Sequence, residues 1–275
     1  MFQQVTRSGP LGMAQALWVY RRFVIGMVGR QFLSRYRGSL LGGSWAVLGP
    51  MAMIAIYLLV FSAVMRGKLP GAMPDDSLSY GLFLCTGILV WTFFAEVVGG
   101  CQTVFVEYGN LLKKMAFPRI TLPVIVLAGA ALNFLFVAVI FVLVLLALGR
   151  FPGAAIVAFL PLLLVQQGFA VGLGILLGTL HVFFRDIGQL WAVLINLWFW
   201  STPIVYPLGI LPEGAREVIA WNPLTPLFLA YQRIVLEGVW PGWEQMRYPA
   251  LMAAALLALG LFAFRRLSPE MVDEL

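Results

Sequence analysis

ITLPVIVLAGAALNFLFVAVIFVLVLLALG, residues 120–149, is a run of 30 residues without one Asp, Glu, Lys or Arg. As a helix it measures ~45 Å at ~1.5 Å per residue. The hydrocarbon core of a bilayer is only ~30 Å thick, so the run crosses it with length to spare for tilt. Five further stretches are equally free of charge: 38–65, 77–95, 151–184, 187–212 and 248–264. A soluble protein has no use for six such segments. The pattern predicts an all-α polytopic membrane protein with six transmembrane helices.

With 275 residues, 61% hydrophobic and 11% charged, little chain remains for a soluble domain. One membrane domain over 1–275 is the economical reading: an interface segment 1–37, a membrane domain 38–266 and a tail 267–275. The net charge is +6. Six spans put both termini on one side, together with Arg7, Arg21, Arg22, Arg30, Arg35, Arg37, Lys113, Lys114, Arg119, Arg185, Arg265 and Arg266. The other side holds Arg66, Lys68, Arg150, Arg216, Arg233 and Arg247. That excess fits the positive-inside rule with both termini cytoplasmic. The basic balance is membrane topology and not a nucleic-acid footprint. Arginines crowd the segment before the first apolar run, which argues against a cleavable signal peptide. Cys85 and Cys101 lie in or near the second span, so neither a disulfide framework nor a Cys/His metal cluster is expected.

Residues 11–33 read as an amphipathic interface helix, with Leu17, Trp18, Val24, Ile25, Val28 and Phe32 on one side and Arg21 intruding there. Anchoring to anionic lipid would suffice as its role. The six spans follow near 41–65, 80–104, 122–148, 154–180, 187–205 and 248–264. Between the last two, Pro207, Pro212, Pro223, Pro226 and Pro241 cut 206–247 into pieces too short to span. The piece 224–237 is still amphipathic, with Leu227, Ala230, Tyr231, Ile234 and Val235 on one face and Arg233 and Glu237 paired at i,i+4. Short re-entrant helices in the outer leaflet, lining a cavity, are the tolerated form of such broken structure.

Chemistry-bearing motifs are scarce. No G-x-x-x-x-G-K-[ST], H-E-x-x-H or G-x-S-x-G occurs, and His181 is the single histidine. Glu96 is the one acid in an apolar stretch, where a carboxylate at a helix centre costs ~2.5–3.5 kcal/mol on insertion scales. It either faces a conduit or snorkels toward the interface. Asp75 and Asp76, on the outer loop, are the most enzyme-like pair, although an adjacent pair in a Pro-rich loop is more often simply solvated. Trp191, Ile195, Trp198 and Thr202 fall on one helical face. Aromatic faces pack against sugar C–H faces without demanding one sugar, whereas an interfacial aromatic belt is the plain alternative.

Several segments together resemble the membrane subunit of bacterial ABC-type polysaccharide exporters, the O-antigen and teichoic-acid group. They are Arg35-Tyr36-Arg37-Gly38-Ser39-Leu40-Leu41-Gly42 with Trp45, Leu48 and Pro50, then Glu107 with Asn110-Leu111-Leu112-Lys113-Lys114 and Phe117-Pro118-Arg119. Phe184-Arg185-Asp186-Ile187, Thr202-Pro203-Ile204-Val205-Tyr206-Pro207 and Asn222-Pro223-Leu224-Thr225-Pro226 follow in order. Phe264-Arg265-Arg266-Leu267 with Pro269, Asp273 and Leu275 resembles the tail of O-antigen exporters. Gly43-Ser44 departs from the bulkier pair usual before Trp45.

This resemblance implies an inner-membrane homodimer joined to two copies of a separate ATPase. ATP and Mg would then sit on that partner, with no cofactor, metal or catalytic residue in this chain. A lipid-linked polysaccharide would pass between the membrane subunits. Glu107, Asn110, Lys113, Lys114, Arg185 and Asp186 become the candidates for coupling to the ATPase, and Arg35 and Arg37 those of the interface helix. Glu96, Trp191, Trp198 and Thr202 would line the conduit, and Tyr206, Pro207, Asn222, Pro223 and Tyr231 would form an outer gate. A permease of the same fold for capsule, teichoic acid, a drug or another lipid is the nearest alternative. A membrane glycosyltransferase using Asp75 and Asp76 is a different class, and an ion channel or ion-coupled carrier is disfavoured by the lack of intramembrane charge pairs.

Overall fold

A computed structural model describes residues 18–35, 37–64, 78–114 and 117–274. The acids Asp75 and Asp76, the basic residues Arg66 and Lys68, and the first part of the interface helix lie outside those residues. Every described element is helical. In chain order the α-helices are α1 (Arg21–Arg35), α2 (Trp45–Leu58, continued by a π-turn), α3 (Leu78–Glu107), α4 (Gly109–Lys114), α5 (Thr121–Ala147) and α6 (Phe159–Phe183). After these come α7 (Asp186–Trp200), α8 (Glu213–Ala220), α9 (Thr225–Glu237), α10 (Arg247–Leu267) and α11 (Met271–Glu274).

Among the described residues five segments are long and apolar enough to cross a bilayer: Gly42–Phe61, Leu78–Glu107, Thr121–Ala147, Gly153–Phe183 and Arg247–Leu267. The expected fifth span differs. Its helix α7 has 15 residues, or ~22 Å at ~1.5 Å per residue. It stops at Trp200 because the chain turns at 201–206 around Pro203, whose missing N–H cannot continue the helical ladder.

Helix α3 carries no charge before Glu96 and, among the described spans, is the one buried over most of its length, as a helix apolar on most sides should be. It packs against α2, α5, α6, α7 and α9. Between helices in lipid there is little hydrophobic drive, so close approach and hydrogen bonds hold the bundle. Gly178 of α6 lies against the Cys101 backbone of α3, and Gly172 of α6 against Gly260 of α10, so tightly that a Cβ would collide with main chain. Gln166 Nε2 also donates to Val90 O at 2.8 Å, tying α6 to α3.

One core fills the bundle around α3, α6, α7 and α9. A second gathers Val24 and Val28 of α1, Phe105, Leu112 of α4, Ile120, Val182, Phe264 and Met271. Helix α1, the loop between α3 and α5 and the C-terminal tail therefore share one end of the bundle. Helix α1 packs on α5, with Phe32 stacked on Phe136 at 5.4 Å. That contact corrects the expected apolar face. Val24, Val28 and Phe32 form an i, i+4, i+8 row onto α5, while Ile25 and Trp18 are exposed. Arg21 does not need to reach far: it lies over the Trp18 ring, 4.7 Å from its centroid.

Helix α9 covers the expected 224–237 piece, and its predicted apolar face is buried against α3 and α6. Among the described residues no ion pair joins Arg233 to Glu237; both point outward.

Candidate functional site

The coupling candidates gather at the end of the bundle that carries α4. Helix α3 runs unbroken to Glu107, the chain turns at Tyr108, and α4 occupies only Gly109–Lys114 of the expected 107–118. Leu112 is buried in the second core, so α4 is seated by one apolar residue and turns its polar side out. Glu107, Asn110, Lys113 and Lys114 are all exposed. Arg185 and Asp186 are exposed at the start of α7. Their neighbour Val182 belongs to the same core as Leu112, which brings both groups to one end of the bundle. Asp186 stands in the first turn of α7, where an acid suits the positive end of the helix dipole.

Glu96 lies where α1, α3 and α5 meet. Arg35 Nη2 of α1 approaches its Oε1 at 3.3 Å, and Asn133 Nδ2 of α5 donates to the same oxygen. The carboxylate is thus paired and hydrogen-bonded, which offsets much of the cost of its depth. A cavity of mixed polarity and about 530 Å³ opens beside it, lined also by Gln31, Glu107 and Tyr108. An apolar cavity of about 220 Å³ between α2, α3 and α5 touches its other side. Arg37, the second interface residue singled out, is exposed and contacts neither cavity. Asn133 was not singled out from sequence. The signal existed, since it is the single amide in the charge-free run 120–149.

The aromatic face of α7 behaves differently from expectation. Trp191 is buried, and Trp198 packs in edge-on contacts with Phe94 (5.7 Å), Phe169 (5.8 Å) and Trp191 (6.4 Å). Thr202 is fully buried. This face is a helix contact onto α3 and α6, so these three side chains do not line an open path in the single chain. What α7 leaves outside is its other face, with Val193, Leu197 and Trp200 exposed.

Asn222 organises the far end. Its Oδ1 accepts from Trp198 Nε1 at 3.0 Å and from Leu224 N at 3.0 Å. Its Nδ2 donates to Thr202 Oγ1 at 2.9 Å. Asn222-Pro223 therefore locks the end of α7 to the start of α9. Gln232 Nε2 of α9 adds a bond to Pro203 O at 2.9 Å. Tyr206 Oη donates to Trp200 O at 2.8 Å, and Pro207, itself extended, caps the 3-10 turn Leu208–Ile210 beyond it. Tyr231 is wholly buried between Phe159 and Phe228. Of the five gate candidates, Asn222 and Pro223 sit at a joint, Tyr206 and Pro207 lie in the link, and Tyr231 is core.

No group of three His, Cys, Asp or Glu residues among the described ones is arranged to hold a metal.

The family described as ABC-2 type transporter matches residues 23–236. The O-antigen export system permease protein RfbA of Myxococcus xanthus is 33% identical over 92% of this chain and 96% of its own. A Klebsiella pneumoniae protein of the same name is 30% identical over 85% of this chain and 87% of its own. The polysialic acid transport protein KpsM of Escherichia coli is 25% identical over 86% of this chain and 90% of its own.

Proposed function

The chain belongs to the ABC-2 type transporter family, and from that membership we propose that it is the transmembrane subunit of an ATP-driven exporter of lipid-linked polysaccharide. It is a permease and not an enzyme; the ATPase is a separate subunit. The observation that carries the substrate class is similarity along nearly the whole chain to permeases named for O-antigen export and for polysialic acid transport. Such similarity excludes a shared module as its source. O-antigen-like glycan is the preferred cargo, because the relatives bearing that name are the more similar.

The functional unit is a homodimer with two copies of the ATPase, which bind ATP and Mg. It lies in the inner membrane with both termini cytoplasmic, so α1, α4 and the tail face the ATPase. Helix α7 and the link through Pro207 make up a sixth crossing, and α8 and α9 re-enter from the outer leaflet as a gate hinged at Asn222. Helix α4 suits a lever: it sits between α3 and α5, seated by Leu112, and offers Lys113 and Lys114 to a soluble partner. The outward face of α7, including Trp200, supplies the wall that Trp191 and Trp198 do not.

Purification tests this reading. The chain alone should hydrolyse no ATP, since it has no phosphate-binding loop, and it should copurify with the ATPase expressed beside it. Turnover by the chain alone, free of contaminating ATPase, contradicts it.

A further inference from the structure

The reading above turns the C-terminal tail toward the ATPase without assigning it a contact, and the tail is tied to the loop that carries α4. Arg119 Nη1, at the end of that loop, donates to Ser268 Oγ at 2.9 Å across 149 residues of sequence. Met271 is fully buried in the core that holds Leu112 and Ile120. Cα atoms of α4 and α11 come within 8 Å of one another. The tail is thus anchored at two points, a hydrogen bond and a buried thioether, beside the helix that turns its lysines outward.

Charge is arranged across this join. Lys113 and Lys114 on α4 are exposed, and so are Arg265 and Arg266 at the end of α10 and Glu270 and Glu274 on the tail. Among the described residues no ion pair joins these lysines to these acids. Four basic and two acidic side chains therefore stand outward around this join. A membrane surface does not fit the acidic part of this patch, because anionic headgroups attract basic residues and repel Glu270 and Glu274. A protein surface of complementary pattern does, since opposed charges set orientation and reject wrong partners.

We propose that residues 268–274 and α4 form one composite docking surface for the soluble ATPase subunit, with the tail as its acidic half. The proposal rests on the exporter reading and on α4 as the coupling helix. It adds that the ATPase covers the tail as well, and that the seat of Met271 and Ser268 holds α4 in position.

Cysteine protection tests it on the full permease–ATPase complex. Cys85 and Cys101 are buried, so a membrane-impermeant maleimide will report on introduced positions. Three exposed sites serve: Lys113→Cys, Glu270→Cys and, at the opposite end of α10, Glu244→Cys as the control. Adding ATPase subunit to about nine-tenths occupancy should slow labelling about tenfold at both Lys113→Cys and Glu270→Cys, and leave Glu244→Cys unchanged. Protection at Lys113→Cys with free labelling at Glu270→Cys overturns the composite surface and leaves α4 docking intact. Protection at Glu270→Cys alone, or at neither site while the complex remains assembled, overturns both. Slow labelling of Glu270→Cys before any ATPase is added places the tail in lipid and overturns the proposal as well.

Discussion

The indole N–H of Trp198 donates to the side-chain oxygen of Asn222 at 3.0 Å, joining the end of α7 to the turn that starts α9. The same amide holds Thr202 from its nitrogen. One side chain therefore fixes the angle between the short helix α7 and the segment proposed to gate the outer leaflet. Its geometry makes Trp198 a packing and positioning residue in the single chain.

Trp198→Ala should then cost about 3–5 kcal/mol through lost packing on Phe94 and Phe169, and complex yield should fall in step with export. Trp198→Phe keeps most of the ring contact and loses only the N–H, for about 1 kcal/mol. Thermal unfolding in detergent beside export rate separates the two. Full yield of Trp198→Ala with a selective export defect would restore the tryptophan to the conduit wall.

Lys113→Glu with Lys114→Glu should weaken ATPase copurification while leaving insertion intact, because both side chains are exposed. Unchanged copurification and unchanged export reduce these lysines to topology determinants.

Glu96→Gln should leave stability within about 1 kcal/mol, since the Arg35 pair is partly exposed and pairs of that kind contribute little. The α1–α3 link weakens instead, so a cysteine introduced at Ser34 should label faster. An unfolding midpoint several degrees lower would mean that the carboxylate is a structural pin of the bundle.

Gly172→Ala and Gly168→Ala make a controlled pair on α6. A Cβ at Gly172 collides with the Leu256–Leu257 backbone of α10, whereas one at Gly168 meets nothing within 4 Å. The first should depress folded yield sharply. The second should be neutral or stabilising by up to about 1 kcal/mol, the helix-propensity gain. Equal behaviour of the two would refute the close α6–α10 contact.

Legibility in the sequence followed what each signal measures. Absence of charge marks membrane residence, so 120–149 and four other crossings were readable. It cannot tell a helix that crosses from one that stops at Trp200, because Pro203 lies within an equally apolar run. Helical spacing found the buried face of α9. On α7 it grouped Trp191, Trp198 and Thr202 correctly, but one-sidedness does not say whether the side meets a path or a neighbouring helix. Asn133 and the Arg119–Ser268 bond are tertiary facts. The first had a local cue in a lone amide, and the second had none, because partners 149 residues apart meet only after the bundle closes.

If the chain exports a lipid-linked glycan, the fate of that glycan depends on it. Deleting the gene, with its ATPase gene left intact, should make lipid-linked polysaccharide accumulate on the cytoplasmic leaflet and vanish from the cell surface. Plasmid-borne wild-type chain should reverse both. Normal surface glycan in the deletion strain, or loss of the glycan without any lipid-linked precursor building up inside, would contradict the account.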